Sequence, residues 1–165
     1  MKKVIDVNTG EVGLGMEGTM LRSVAIGSCI VVAAYDSENS IGAMAHIMLP
    51  GTAPKKTLEK TRYAADAIDE MINMMTQAES KKSDIEVCLV GGGNVLKRKD
   101  DAICKDNIES TTRILKEKNI PVRASALGGT RRKSVFLDIE NGSISFAEGD
   151  EKEETLWKAG QRQLN

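Results

Sequence analysis

The chain has 165 residues, 41% hydrophobic and 28% charged, which suits one soluble domain with a sizeable core. A net charge of −1 and only 3% aromatic residues argue against nucleic acid as a partner, because neither a basic field nor a stacking platform is present. No apolar run approaches the ~20 residues of a membrane span, and Lys2-Lys3 is followed by no long apolar segment, so a cytoplasmic protein not integral to a membrane is expected.

Residues 1–19 are rich in Gly and read as loop with one short edge strand. A strand over 18–26 then leads into Gly27-Ser28-Cys29. Glycine directly before an apolar strand points to close backbone approach by a ligand or another segment. Two apolar runs, 30–35 and 41–49, flank Asp36-Ser37-Glu38-Asn39-Ser40 and predict a hairpin. That hairpin brings Cys29 near His46, the only histidine. Registers whose paired residue numbers sum to 75 or 77 place both side chains on one face; a slip by one residue separates them. A thiol beside an imidazole is the minimum for a cysteine nucleophile with its base. The competing reading is a buried structural thiol and an ordinary core histidine.

An amphipathic helix is predicted over 58–79, with Ala64, Ile68, Met71, Ile72 and Met75 on its buried face. A buried strand over 85–90 contains Cys88 and ends in Gly91-Gly92-Gly93. That loop lacks the registers that bind phosphate, so nucleotide binding is not expected. Asp106-Asn107 reads as the cap of a helix over 108–118. Strands follow over 121–127, 134–139 and 143–146, the last two joined at Asn141-Gly142 as a hairpin. Three cysteines without a Cys-x-x-Cys argue against a disulfide framework or zinc site and fit free thiols in a reducing compartment.

Ala25-Ile26-Gly27-Ser28-Cys29-Ile30 and the block from Ile41 through His46-Ile47-Met48-Leu49-Pro50-Gly51 resemble the CheD family, the chemoreceptor glutamine deamidases of bacterial and archaeal chemotaxis. The resemblance runs over about 7–146. It implies hydrolysis of glutamine side-chain amides through a cysteine thioester, with Cys29 as nucleophile and His46 as general acid and base. It also implies that Ser23, where the family usually has threonine, supplies the orienting hydroxyl. Gly27 and Ser28 become oxyanion candidates. Tyr63, Gly91, Gly92 and Asn107 become candidates for the substrate cleft. Cys104 stands where the family usually has glycine, and is a possible second exposed thiol. The implied partners are the cytoplasmic helices of methyl-accepting chemoreceptors and the phosphatase CheC; no metal or organic cofactor is implied. Two alternatives stay open: a non-catalytic scaffold for CheC or receptors, and a thiol enzyme acting on another amide or transferring to amines.

The expected fold is α/β, a single compact domain over 1–147 of mixed, largely antiparallel strand layers flanked by two or more helices. Residues 148–165 are expected to form a charged tail or a short helix docked by Trp157.

Overall fold

The computed structural model describes residues 2–160. Ten strands form two five-stranded sheets, joined by two helices. The first sheet has the order β1 (Lys3–Asp6), β3 (Thr19–Ile26), β8 (Lys133–Asp138), β9 (Ser143–Glu148), β10 (Glu154–Lys158). The second has the order β2 (Val12–Gly15), β5 (Ile41–Ile47), β4 (Ile30–Asp36), β6 (Glu86–Gly91), β7 (Val122–Leu127). Helices α1 (Ala64–Gln77) and α2 (Ala102–Glu117) pack on the second sheet.

The second sheet is therefore the middle layer. One face meets the helices through residues such as Ile30, Val32, Ile68 and Met71. The other meets the first sheet through Val31, Met44, Leu21 and Leu137. All seven residues of β4 and all seven of β5 are buried, which is why both read as continuous apolar runs. Among the pairings, β6–β7 is parallel, as the strand-helix-strand order allowed. β1–β3 is parallel as well, which the glycine-rich sequence did not suggest.

The β4–β5 hairpin takes the register that pairs Ile30 with Ile47 and Val31 with His46. Buried Asp36 fixes its turn, accepting from Glu38 N at 3.0 Å, Asn39 Nδ2 at 2.9 Å and Ser80 Oγ at 2.7 Å. Both carboxylate oxygens thus have partners, which is the condition for burying an acid.

Four expectations change. The N-terminal stretch holds two strands rather than one. The first helix begins at Ala64, not near 58, because Tyr63 stays extended and pairs with Leu49, and Leu58 is fully exposed. The second helix begins at Ala102, six residues before the expected start. Asp100 Oδ1 accepts the Ala102 N–H at 3.0 Å, so Asn107 lies inside the helix and caps nothing. Residues 154–158, expected within a tail or short helix, form β10 on the edge of the first sheet, where Trp157 packs against the inter-sheet core. The end of the expected tail, 161–165, lies outside the described residues.

Candidate active site

Cys29 ends the loop between β3 and β4 and is half-buried. Gly92 N donates to Cys29 O at 2.8 Å, and Gly93 N donates to Gly27 O at 2.9 Å. The glycine loop after β6 thus clamps the cysteine loop through main chain alone. Gly91 is the position where a side chain is excluded: its φ is +130°, and an added Cβ would sit 2.2 Å from Cys29 O. Gly27 itself has only an ordinary contact with Val95, so its crowding is milder than its place before the strand suggested. The Gly92, Gly93 and Asn94 amides are all committed to carbonyls, which removes the free N–H groups a phosphate cradle needs.

Asn107 closes the clamp from the other side. Fully buried on α2, its Nδ2 donates to Ser28 O at 2.9 Å and to Met48 O at 3.1 Å. One side chain therefore ties the residue before Cys29 to the strand end just past His46. Its Oδ1 is buried without a protein partner.

His46 is 4% exposed and lies on the inter-sheet face of β5. Cys29 lies just before β4, two residues before the partner of His46, and packs against the same inter-sheet cluster that His46's face of β5 meets. The main chain of His46 is held by the turn after β1: Gly10 N donates to His46 O at 2.8 Å, and His46 N to Glu11 O at 3.0 Å. Nδ1 lies 3.1 Å from Val7 O. A carbonyl only accepts, so Nδ1 carries the proton and Nε2 of the neutral ring keeps its lone pair.

Ser23 Oγ donates to the same Val7 O at 2.6 Å and also contacts Met44 Sδ at 3.3 Å. It reaches the imidazole only through this shared carbonyl.

Burial pushes the Cys29 thiol above its ordinary value. Its own backbone N–H and the Thr9 hydroxyl oppose that shift. Burial pushes His46 below its ordinary value, opposed by Val7 O and the charge of Glu11. Both groups are accordingly neutral near pH 7.

Above Cys29 opens a cleft of about 380 Å³ whose lining includes Gly27, Ser28, Val95, Ile103 and Cys104. Of the positions singled out in the sequence, Gly27, Ser28 and Cys29 line the cleft, while His46 and Ser23 lie beneath it in the inter-sheet layer. Gly91, Gly92 and Asn107 support the Cys29 loop from behind. Tyr63 is elsewhere, capping α1 beside Leu49. Cys104 is not exposed: it is 3% accessible, donates to Gly93 O, and is pushed up to about 11 by burial and by Asp101. Cys88 is a core thiol pushed up to about 12. Val7, Thr9 and Glu11 were missed. Val7 acts through its carbonyl, which leaves no mark in a sequence, and the other two sit in a turn that reads only as loop.

Among the described residues, no helix is long and apolar enough to cross a membrane, and no group of three or more His, Cys, Asp or Glu could hold a metal ion.

Comparison with known proteins gives a consistent result. Residues 48–148 match the family described as CheD chemotactic sensory transduction. That match begins just after His46, and the relatives align over 144–150 residues of the chain. A probable chemoreceptor glutamine deamidase CheD from Chlorobium luteolum is 37% identical over 150 residues, 90% of this chain and 75% of that protein. The chemoreceptor glutamine deamidase CheD of Thermotoga maritima is 31% identical over 87% of this chain and 90% of its own. A Methanococcus maripaludis probable chemoreceptor glutamine deamidase CheD is 29% identical over 90% and 97%. A solved structure, Bacillus licheniformis hypothetical protein YfiH, overlays 78% of this chain and 59% of that one with a TM-score of 0.45 and 14% identity, too distant to carry an argument. From the family match and the extent of these similarities, the chain belongs to the CheD family.

Proposed function

We propose that this chain is a protein-glutamine deamidase that hydrolyses side-chain amides of chemoreceptors to glutamate and ammonia, acting in the cytoplasm on receptor cytoplasmic helices. One observation carries the reading. A thiol at an open cleft, one residue before β4, packs on the inter-sheet layer that also holds an imidazole whose Nδ1–H is fixed on a carbonyl, leaving Nε2 as the base. Relatives named as chemoreceptor glutamine deamidases supply the substrate class.

The chemistry follows from these groups. Cys29 Sγ attacks the amide carbon as His46 Nε2 takes the thiol proton, which avoids a standing thiolate in a buried site. The carbonyl oxygen becomes an oxyanion, for which the Cys29 N–H and the Gly27–Ser28 turn are the nearest backbone candidates. His46 returns the proton to the departing nitrogen; the C–N bond breaks and ammonia leaves. Water, deprotonated by His46, attacks the thioester. The C–S bond breaks, the sulfur regains a proton and glutamate is released. Val7 O orients the ring directly, and Ser23 acts one bond further out by sharing that carbonyl.

The test is mass spectrometry of a chemoreceptor cytoplasmic fragment incubated with and without a primary amine. Hydrolysis adds one dalton at a glutamine even when amine is present. Amine adducts in place of that gain would identify a transferase. An unchanged fragment that still binds, or that competes with CheC, would favour a non-catalytic scaffold.

A further inference from the structure

The cleft above Cys29 continues past the thiol. A second concavity of about 610 Å³ shares Ala25, Val95 and Arg132 with it, so the two form one groove running on toward Thr130 and Arg131. A β-bulge in β3 shapes its wall. The pairing with β8 shifts between Ser23 and Ile26, and Ala25 sits at a φ of 54°, a left-handed conformation that costs a non-glycine residue about 1–2 kcal/mol. The bulge leaves Val24 53% exposed along the groove, while Leu96, 70% exposed, and Ile103, 39% exposed, line its Cys29 end. Strain and apolar exposure together at one place mark a surface kept for binding.

The charge around this groove is uneven. Lys97-Arg98-Lys99, followed by Asp100-Asp101, comes from one loop, and Arg131-Arg132 with Lys133 at the start of β8 from another, where Asp150 also lines the groove. Arg131 is engaged by Glu151 at 2.7 Å, and the buried Lys133 amine is taken by Gly128 O and by Glu148 at 3.6 Å. Arg98 and Arg132 differ. Both line the cleft with Cys29, and neither guanidinium has a carboxylate partner among the described residues. Their main chains are anchored: Asn94 bonds both the N–H and the carbonyl of Arg98, and Gly149 N donates to Arg132 O at 2.8 Å. Two exposed forks on anchored main chain beside an apolar wall suit carboxylates carried on a partly apolar segment.

We propose that Arg98 and Arg132 are specificity residues that bind acidic side chains flanking the target glutamine, and that the groove receives the apolar residues of the same segment. This rests on the deamidase reading for the identity of the central glutamine. The recognition of flanking carboxylates stands on the groove itself.

The experiment separates the two. Cys29→Ala protein is titrated with a chemoreceptor cytoplasmic fragment and with the same fragment whose carboxylates next to the target glutamine are replaced by alanine. The acidic fragment should bind at least about tenfold tighter, with the margin shrinking as salt rises. Arg98→Glu and Arg132→Glu, added to Cys29→Ala, should each remove most of that margin, and Arg132→Lys should keep part of it. In turnover assays with Cys29 restored, the charge reversals should raise KM with kcat within about twofold. Equal binding of the two fragments, no binding of the acidic one, or a margin indifferent to both arginines would overturn the proposal. Carboxylate-dependent binding without ammonia release by the wild type would instead sink the deamidase reading and leave the groove assignment standing.

Discussion

At Cys29 and His46, burial moves two reactive groups in opposite directions, and both movements favour the neutral form. The imidazole, shifted down from 6.5, stays unprotonated further into acid than a free histidine. The thiol, shifted up from 9.0, stays protonated further into base. Activity that needs neutral His46 should therefore rise through a midpoint below pH 6.5 and hold a plateau to above pH 9. Stability shares the acid limb. The unfolded chain binds a proton at its ordinary histidine value while the folded one resists it, so stability falls as pH drops through 6.5 toward the folded value. Iodoacetamide alkylation of Cys29, followed by peptide mass spectrometry, checks the thiol side. The rate should rise with pH through a midpoint above 9.0. A midpoint below 9.0 would contradict the neutral thiol–imidazole pair.

Between elements, α2 and the two central strands meet at Asn107, whose amide spans Ser28 O and Met48 O. Asn107→Ala leaves two partly buried carbonyls without that donor, at a cost of at most about 1–3 kcal/mol each. The expected result is a clear loss of thermal stability together with a fall in kcat of more than tenfold and little change in KM, since Asn107 positions the Cys29 and His46 strands rather than the substrate. Retention of wild-type kcat in the folded fraction would contradict this role. The same helix shows where sequence reading stops. Its buried face is Cys104, Asn107, Ser110 and Thr111 before it reaches Ile114 and Leu115. Apolar periodicity therefore begins late, and by itself points to a start six residues downstream of Ala102. The β4–β5 hairpin was legible for the opposite reason. Its strands are apolar throughout, its turn is polar, and side-chain alternation alone brings Cys29 and His46 to one inter-sheet layer once the register sum is odd. The strap over 7–11 was not legible, because it works through the Val7 carbonyl and main-chain bonds to His46.

Across the whole molecule, a central sheet buried on both faces carries the site at one end, and the first sheet covers it. The outer edge of that cover is β10, which read as tail because Glu154 and Lys158 bracket only three less polar residues. Charged side chains on an edge strand keep it from pairing with other chains, so their presence suits the position it takes. Trp157 joins this strand to the inter-sheet core and is half-buried. Trp157→Ala should cost about 1–2 kcal/mol, below the ~3–5 of a fully buried aromatic. Urea unfolding would read the loss directly. No loss would mean that β10 adds nothing to the first sheet.

The measurement closest to the central claim is ammonia release from a chemoreceptor cytoplasmic fragment by wild type, Cys29→Ala and His46→Ala, each first shown to be folded. The wild type should release ammonia in step with the mass gain at glutamine, and both variants should fall by at least about a thousandfold, as expected when a nucleophile or its base is removed. Turnover that survives Cys29→Ala would contradict the assignment of Cys29 as the nucleophile.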